Sequence, residues 1–468
     1  MTFNRLLSRV CKDCGKALIS GSSRALLASL IWMASVAARG DDVVLDWNAA
    51  TREAMRLDRT ATNPGWSSRA MAMVNGAIYD SFMAIDRTHT PFLVDTTASA
   101  DTSRDAAATQ AAYRILNATY PGQATLFDAT RTATLSAIPD GPGKTAGLSL
   151  GELVAGQYLA ARANDGASAM VQYLPTSGAG HWRPDPMNPG QQAWGPGWGQ
   201  VQPFTLTNSR QFQPPPAPSM TSQQYADAFN EVKSLGALNS TTRTADQTEM
   251  AIFWAYDRAG MGPPPRLFNQ VVADVAAQRG NSVTQNARLF AMSMVAQADA
   301  GIAAWDSKFV GDYWRPITGI READTDGNPL TQPDPNWIPL GAPGAGEVPD
   351  FTPPFPAYVS GHATFGGAVF GALTDFYGTD DIGFTLSSGE MVGITRSFDS
   401  FSQASEENGR SRVYMGVHWN FDDTEGRALG GQIADWVSQN HFQAVPEPGT
   451  LLLAALALLF LGWRRLRR

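Results

Sequence analysis

Three short segments in the second half of the chain carry the residues best suited to chemistry. In the first, six residues separate Lys308 from Arg315-Pro316. In the second, a proline-rich approach through Pro353, Pro354 and Pro356 ends at Ser360-Gly361-His362. In the third, Ser411-Arg412 precedes His418 by five intervening residues, and Asp422 follows four positions later. Ser360 stands where a helix N-cap belongs, ahead of a Gly/Ala/Phe run, and the free N–H groups of such a helix start attract an anion. Arg412 offers a planar fork for two anion oxygens. Asp422 can accept the second ring proton of His418 and leave the other nitrogen free as nucleophile or ligand. Together these residues describe a buried, positively charged pocket for a tetrahedral oxyanion. Each segment alone also reads as something plainer: a serine cap beside an incidental Gly-His, a surface ion-pair segment, or an exposed lysine at a helix end.

The elements that must position them read as helices. Apolar residues recur at three- and four-residue steps over 66–85, 106–120, 145–163, 222–235 and 245–256. The clearest stripe runs through 282–308, where Ala291, Met294, Val295, Ala298, Ile302 and Trp305 share a face. Lys308, three residues beyond Trp305, falls on that same face, and a lysine there needs an anionic partner. A further helix is expected over 362–377, ending at Gly378. No comparable alternating β-branched run stands out, so an all-α body is expected. The irregular stretch 175–218 is rich in Pro, Gly and Trp (Trp182, Trp194, Trp198). Its tryptophans predict a packed covering loop, since disordered linkers are poor in aromatics.

Both ends look like processing signals. Residues 1–38 show scattered bases, an apolar run over 25–36 and small residues at Ala37 and Ala38, the order of a secretory signal peptide. Cys11 and Cys14 both fall in this leader, so the body is left without disulfide or thiolate chemistry. At the other end, Pro446-Glu447-Pro448 is followed by an apolar segment and by Arg464, Arg465, Arg467 and Arg468. This order resembles the PEP-CTERM sorting signal of Gram-negative bacteria. The resemblance implies transient membrane arrest over 442–468 with the arginines inside, removal by an exosortase-type enzyme, and a body (39–441) exported to the periplasm, cell surface or extracellular matrix. A permanent C-terminal anchor is the plainer alternative. Of the chain's 35 basic and 43 acidic residues the two ends hold nine and two, leaving a body of 26 against 41. A body that acidic is a poor match for nucleic acid or an anionic membrane, and its clustered basic residues call for a reason.

Taken in order, Lys-x6-Arg-Pro, Ser-Gly-His and Ser-Arg-x5-His-x3-Asp resemble the signature of the superfamily that joins type-2 phosphatidic acid phosphatases with vanadium-dependent haloperoxidases. The resemblance covers about a quarter of the chain. It implies a helical body of two four-helix-bundle-like halves around one oxyanion site. Lys308, Arg315, Ser360, Gly361 and Arg412 would hold vanadate, His418 would bond the vanadium and His362 would move protons. Trp305 and Phe355 look like the aromatic neighbours of vanadate in the family's chloroperoxidases, and Phe355, where bromide-preferring relatives carry His, points to chloride being tolerated. The run Phe253-Trp254-Ala255-Tyr256-Asp257 with Pro263-Pro264-Pro265-Arg266 resembles the segment whose aspartate supports the proton-moving histidine, which assigns Asp257 that task. Val359 departs from the proline that often precedes Ser-Gly-His, removing no ligand. The implied activity is oxidation of halide by hydrogen peroxide, with a small organic acceptor. A soluble acid phosphatase with a phosphohistidine at His418, and a catalytically quiet surface or matrix protein, are the alternatives. A homo-oligomer is left open.

Overall fold

In the computed structural model, residues 42–58, 64–258, 260–344 and 351–446 are described. The leader with Cys11 and Cys14 and the sorting segment from Glu447 onward lie outside them. From Val43 on the helices follow in order: α1 (Val43–Leu57), α2 (Pro64–Asp86), α3 (Arg104–Thr119), α4 (Ala124–Ser136), α5 (Pro142–Ala161), α6 (Gln223–Leu235), α7 (Ala245–Phe253), α8 (Pro264–Arg279), α9 (Val283–Gly311), α10 (Pro316–Arg321), α11 (Gly361–Tyr377), α12 (Phe401–Tyr414) and α13 (Asn420–Asn440). One small antiparallel hairpin, β1 (Phe384–Ser387) with β2 (Thr395–Phe398), interrupts the helical order. Phe384 and Leu386 point inward and Thr385 and Ser387 outward, an alternation too short to stand out beside the long helical stripes.

The all-helical expectation therefore holds, with that one addition. Helices α2, α3 and α5, joined by α1 and α4, form one packed group; α9, α11, α12 and α13 form another. The long helix α9 packs against both α2 and α11 and so links the two. Its start is secured by a capping box in which Ser282 accepts from the Gln285 N–H and the Gln285 side chain accepts from the Ser282 N–H. Helices α11 and α13 approach unusually closely because small residues line their contact. A Cβ at Gly430 would stand 2.2 Å from the Thr364 carbonyl oxygen, and one at Gly367 would stand 2.5 Å from that of Arg427. This close crossing brings the first turn of α11, with His362, beside the first turn of α13, with Asp422.

The stretch 175–218 is a packed cover. Trp182 and Trp198 are buried. Asp299, fully buried on α9, accepts hydrogen bonds from the N–H groups of Phe204 (2.6 Å), Thr205 (2.8 Å) and Leu206 (3.2 Å). Asp299→Asn would turn an amide NH2 toward those donors, and the protein should lose about 1–3 kcal/mol of stability in denaturant titration. At the C-terminal side the chain stays packed beyond α13: Phe442 is buried against Tyr79 and Phe92, and Val445 N–H donates to the Thr88 carbonyl. No helix among the described residues is long and apolar enough to cross a membrane.

Candidate active site

The three segments converge. Lys308 lies near the end of α9, Arg315 at the start of α10, Ser360 and His362 at the start of α11, Arg412 near the end of α12, and His418 and Asp422 at the start of α13. Pro64, Asp257, Pro264, Trp305, Phe355, Gly361, His362, Arg412 and His418 are among the residues lining one cavity. Among the described residues no group of three or more His, Cys, Asp or Glu side chains gathers to hold a metal cation. The concentrated charge is cationic instead.

Lys308 is fully buried, yet its partners are backbone carbonyls: Nζ donates to Pro356 and Ala357, each at 3.0 Å, and to Val359. The anionic partner expected from its place on an apolar face is thus replaced by three dipoles, supplied by the irregular approach to α11. Burial, then the neighbouring Arg315, push its pKa well below the usual lysine value. Arg315 donates through Nε to the Phe355 carbonyl (2.9 Å) and through Nη1 to the Val417 carbonyl (2.7 Å) and His418 Nε2 (3.0 Å). Burial pulls its pKa down to about 9. Arg412 donates through Nη2 to Asp257 at 2.7 Å. Its fork is therefore directed partly to a carboxylate carried by the loop after α7.

His418 Nδ1 meets Asp422 Oδ2 at 2.7 Å, and the same oxygen accepts from the Trp419 N–H at 3.0 Å. Arg315 can only donate, so the lone pair of the neutral ring is on Nε2 and Nδ1 carries the proton, which it donates to Asp422. Burial and the surrounding cations, Arg315 first among them, hold His418 well below its ordinary pKa. Burial raises Asp422 to about 7 against the pull of Lys308.

His362 does not bond Asp257. Its Nε2 reaches the Ala255 carbonyl at 2.8 Å. Helix α7 stops at Phe253, short of the 245–256 expected from periodicity; Trp254 caps it, Tyr256 beyond adopts φ 44°, and the Ala255 carbonyl is free of the helix. Asn408, one helical turn before Arg412, donates through Nδ2 to the His362 carbonyl at 2.9 Å. Neither Ala255 nor Asn408 is distinguishable by residue type; the spacing of Asn408 from Arg412 is the only signal in the sequence. Burial, then Arg412, push His362 down to about 3. Its ring is accordingly neutral, and its NMR signals should not titrate between pH 5 and 8. Binding of an oxyanion should raise that pKa, by about 1–3 units, because the added negative charge offsets Arg412.

The donor set fits a tetrahedral oxyanion. Arg315 Nη2 and Arg412 Nε are buried without a partner. The Ser360 hydroxyl accepts from the Ala363 N–H at 3.4 Å and keeps its own proton to donate. Lys308 and Arg315 direct their remaining donors to carbonyls and to His418, contacts that an incoming anion would replace. The three basic side chains outnumber the two carboxylates of Asp257 and Asp422, so an incoming anion offsets the excess of basic groups.

Residues 288–446 match the family model described as the VCPO second helical-bundle domain, and residues 444–468 match the PEP-CTERM protein-sorting motif. The chain is 31% identical to the vanadium chloroperoxidase of Curvularia inaequalis, over 82% of this chain and 80% of that protein. Its fold resembles that of a bacterial vanadium-dependent iodoperoxidase, with a TM-score of 0.72 over 86% of this chain and 96% of the other at 21% identity. It also resembles a bacterial vanadium-dependent chloroperoxidase in its holo form, with a TM-score of 0.63 over 81% and 92% of the two chains at 15% identity. The chain belongs to the vanadium-dependent haloperoxidase family.

Proposed function

We propose that the protein is an exported vanadate-dependent haloperoxidase that oxidises halide with hydrogen peroxide to hypohalous acid, in the presence of a small organic acceptor. The observation that carries this is the His418 ring: its Nδ1 proton is donated to Asp422 and its Nε2 lone pair faces the Arg315 guanidinium, with Lys308 and Arg412 as further buried cations nearby. Lys308, Arg315, Arg412, Ser360 and the Gly361 N–H would hold vanadate, with His418 Nε2 as the protein's bond to the metal. Bound vanadate supplies a Lewis-acid centre at which peroxide is activated toward halide while vanadium keeps its oxidation state.

The chain's own groups account for the rest. His362, neutral and held by the Ala255 carbonyl, can take a proton from an incoming peroxide and return it to a leaving oxygen. Asp257 acts through Arg412, which keeps the cationic field next to His362. Lys308, held by three carbonyls, keeps a positive charge beside Phe355 and Trp305, where a halide would approach. The sorting motif at 444–468 supports export, with removal of the tail by an exosortase-type enzyme and retention outside the inner membrane.

An acid phosphatase would use the same pocket, with His418 as phosphoryl acceptor. The test is peroxide-driven bromination and chlorination of a phenol reporter by purified protein, with and without vanadate, beside phosphate release from a simple ester. Halogenation that rises with added vanadate supports the proposal. Phosphate release without vanadate-stimulated halogenation would replace it with the phosphatase.

A further inference from the structure

The pocket wall beside Lys308 is aromatic, and the covering loop braces it from behind. Trp305 turns its Cζ3 and Cη2 edge toward Gly361, where a Cβ would stand 3.2 and 3.4 Å from those atoms. The opposite end of the ring, Nε1 and Cδ1, lies under Gly195, where a Cβ would stand 2.7 and 2.9 Å away. Gly195 adopts φ +73°, so both its backbone and the lack of space exclude a side chain. The Trp305 Nε1 is buried with no hydrogen-bond partner, covered by that glycine. Next to it, the Trp194 ring meets Trp305 edge to face at 5.1 Å and Phe355 at 6.4 Å. The Trp194 N–H donates to the Pro354 carbonyl at 2.8 Å, one residue before Phe355. The Trp198 ring packs against Trp194 at 6.2 Å, tilted by 37°. Trp194 is not itself among the cavity's lining residues, whereas Trp305 and Phe355 are.

On the pocket side of the same wall, Lys308 Nζ lies 5.0 Å from the Phe355 ring centre and 5.7 Å from that of Trp305, and the Arg315 guanidinium lies 5.0 Å from Phe355. The cavity that Trp305 and Phe355 line, with Arg412, His362 and His418, has room for about a single water. A wall this tight keeps solvent from the cations, and in a water-poor site their field acts far more strongly on a small anion.

We infer that Trp194, seated by Gly195, is a positioning residue for halide selectivity: it holds Trp305 and Phe355 closed against Lys308 and keeps water out of the halide's approach. The inference rests on the haloperoxidase reading above. With the brace removed, water enters and the wall loosens. The smaller, more strongly hydrated halides then lose most and iodide least, so preference shifts toward iodide while the oxyanion ligands are untouched.

The experiment compares wild type, Trp194→Ala and Trp194→Phe as purified full-length proteins. One readout is solvent exchange of the Trp305 indole N–H in 15N-indole-labelled protein, assigned through Trp305→Phe. The other is the ratio of kcat/KM for bromide to that for iodide with vanadate and peroxide. Trp194→Ala should speed the indole exchange by about tenfold or more and lower the ratio by about tenfold, a size in keeping with small misplacements in tight sites. Vanadate affinity should change by less than about twofold, and Trp194→Phe should restore most of both effects. Unchanged exchange, or faster exchange with an unchanged ratio in an active enzyme, overturns the inference and leaves the haloperoxidase reading standing. A wild type that oxidises no halide with vanadate overturns that reading and the selectivity role with it, whatever the exchange rate shows.

Discussion

Asp422→Ala should weaken vanadate binding by about 10–100-fold, the usual consequence of removing the hydrogen-bond partner behind a metal-binding histidine. Asp422 touches no position where vanadate would sit. It accepts a hydrogen bond from His418 Nδ1 at 2.7 Å and is itself fixed by the Trp419 N–H. Without it the ring can rotate or adopt the other tautomer, and the lone pair no longer has to face Arg315. His418→Ala removes the lone pair itself and should lower affinity further, with halogenation falling to background. Equilibrium titration of each variant with vanadate, followed by the halogenation it supports, measures both. If Asp422→Ala bound vanadate as tightly as wild type, the assignment of His418 as the bond to the metal would have to be given up.

The second large effect concerns stability. Asp257 and Arg412 form an ion pair at 2.7 Å with side chains 9% and 1% exposed. Asp257→Ala leaves Arg412 buried with no counter-charge, and breaking one side of such a pair costs about 3–5 kcal/mol. The vanadate-free variant should therefore unfold well below wild type in thermal or denaturant titration. Vanadate should then stabilise the variant more than it stabilises wild type, because the anion supplies part of the missing charge. A variant as stable as wild type, or one that gains nothing extra from vanadate, would show that Arg412 does not face the anion site.

Much of this site was legible in the sequence because its residues fall in three short, ordered segments. Ser360 could be read as an N-cap from the proline-rich approach and the small-residue run behind it, and the pairing of His418 with Asp422 from their spacing of four. Lys308 could be placed on the buried face of α9 from Trp305. What could not be read are contacts between segments far apart in the chain. Asp257 was expected to support His362, but it lies against Arg412, 155 residues away, while the Ala255 carbonyl takes His362. A carbonyl has no signature in residue type, and it is free because α7 ends early, at Phe253.

Helix α12 was equally hard to see. Its buried face includes Ala404, Ser405, Asn408, Gly409, Ser411 and Arg412, small and polar residues that give no apolar stripe. The helix is nonetheless central, since it delivers Arg412 to the pocket and Asn408 to the backbone of His362. The close contact of α11 with α13 depends on glycines for the same physical reason: the packing is carried by what is absent from the side chains.

The most direct test of the vanadate site is a crystal structure of the protein soaked with vanadate. The expected result is density for a metal oxyanion continuous with His418 Nε2, its oxygens within hydrogen-bond reach of Lys308, Arg315, Ser360, Gly361 and Arg412. Arg315 should have turned from the ring nitrogen it now donates to. Vanadate bound elsewhere, or an unchanged pocket with Arg315 still on His418 at saturating vanadate, would contradict the assignment.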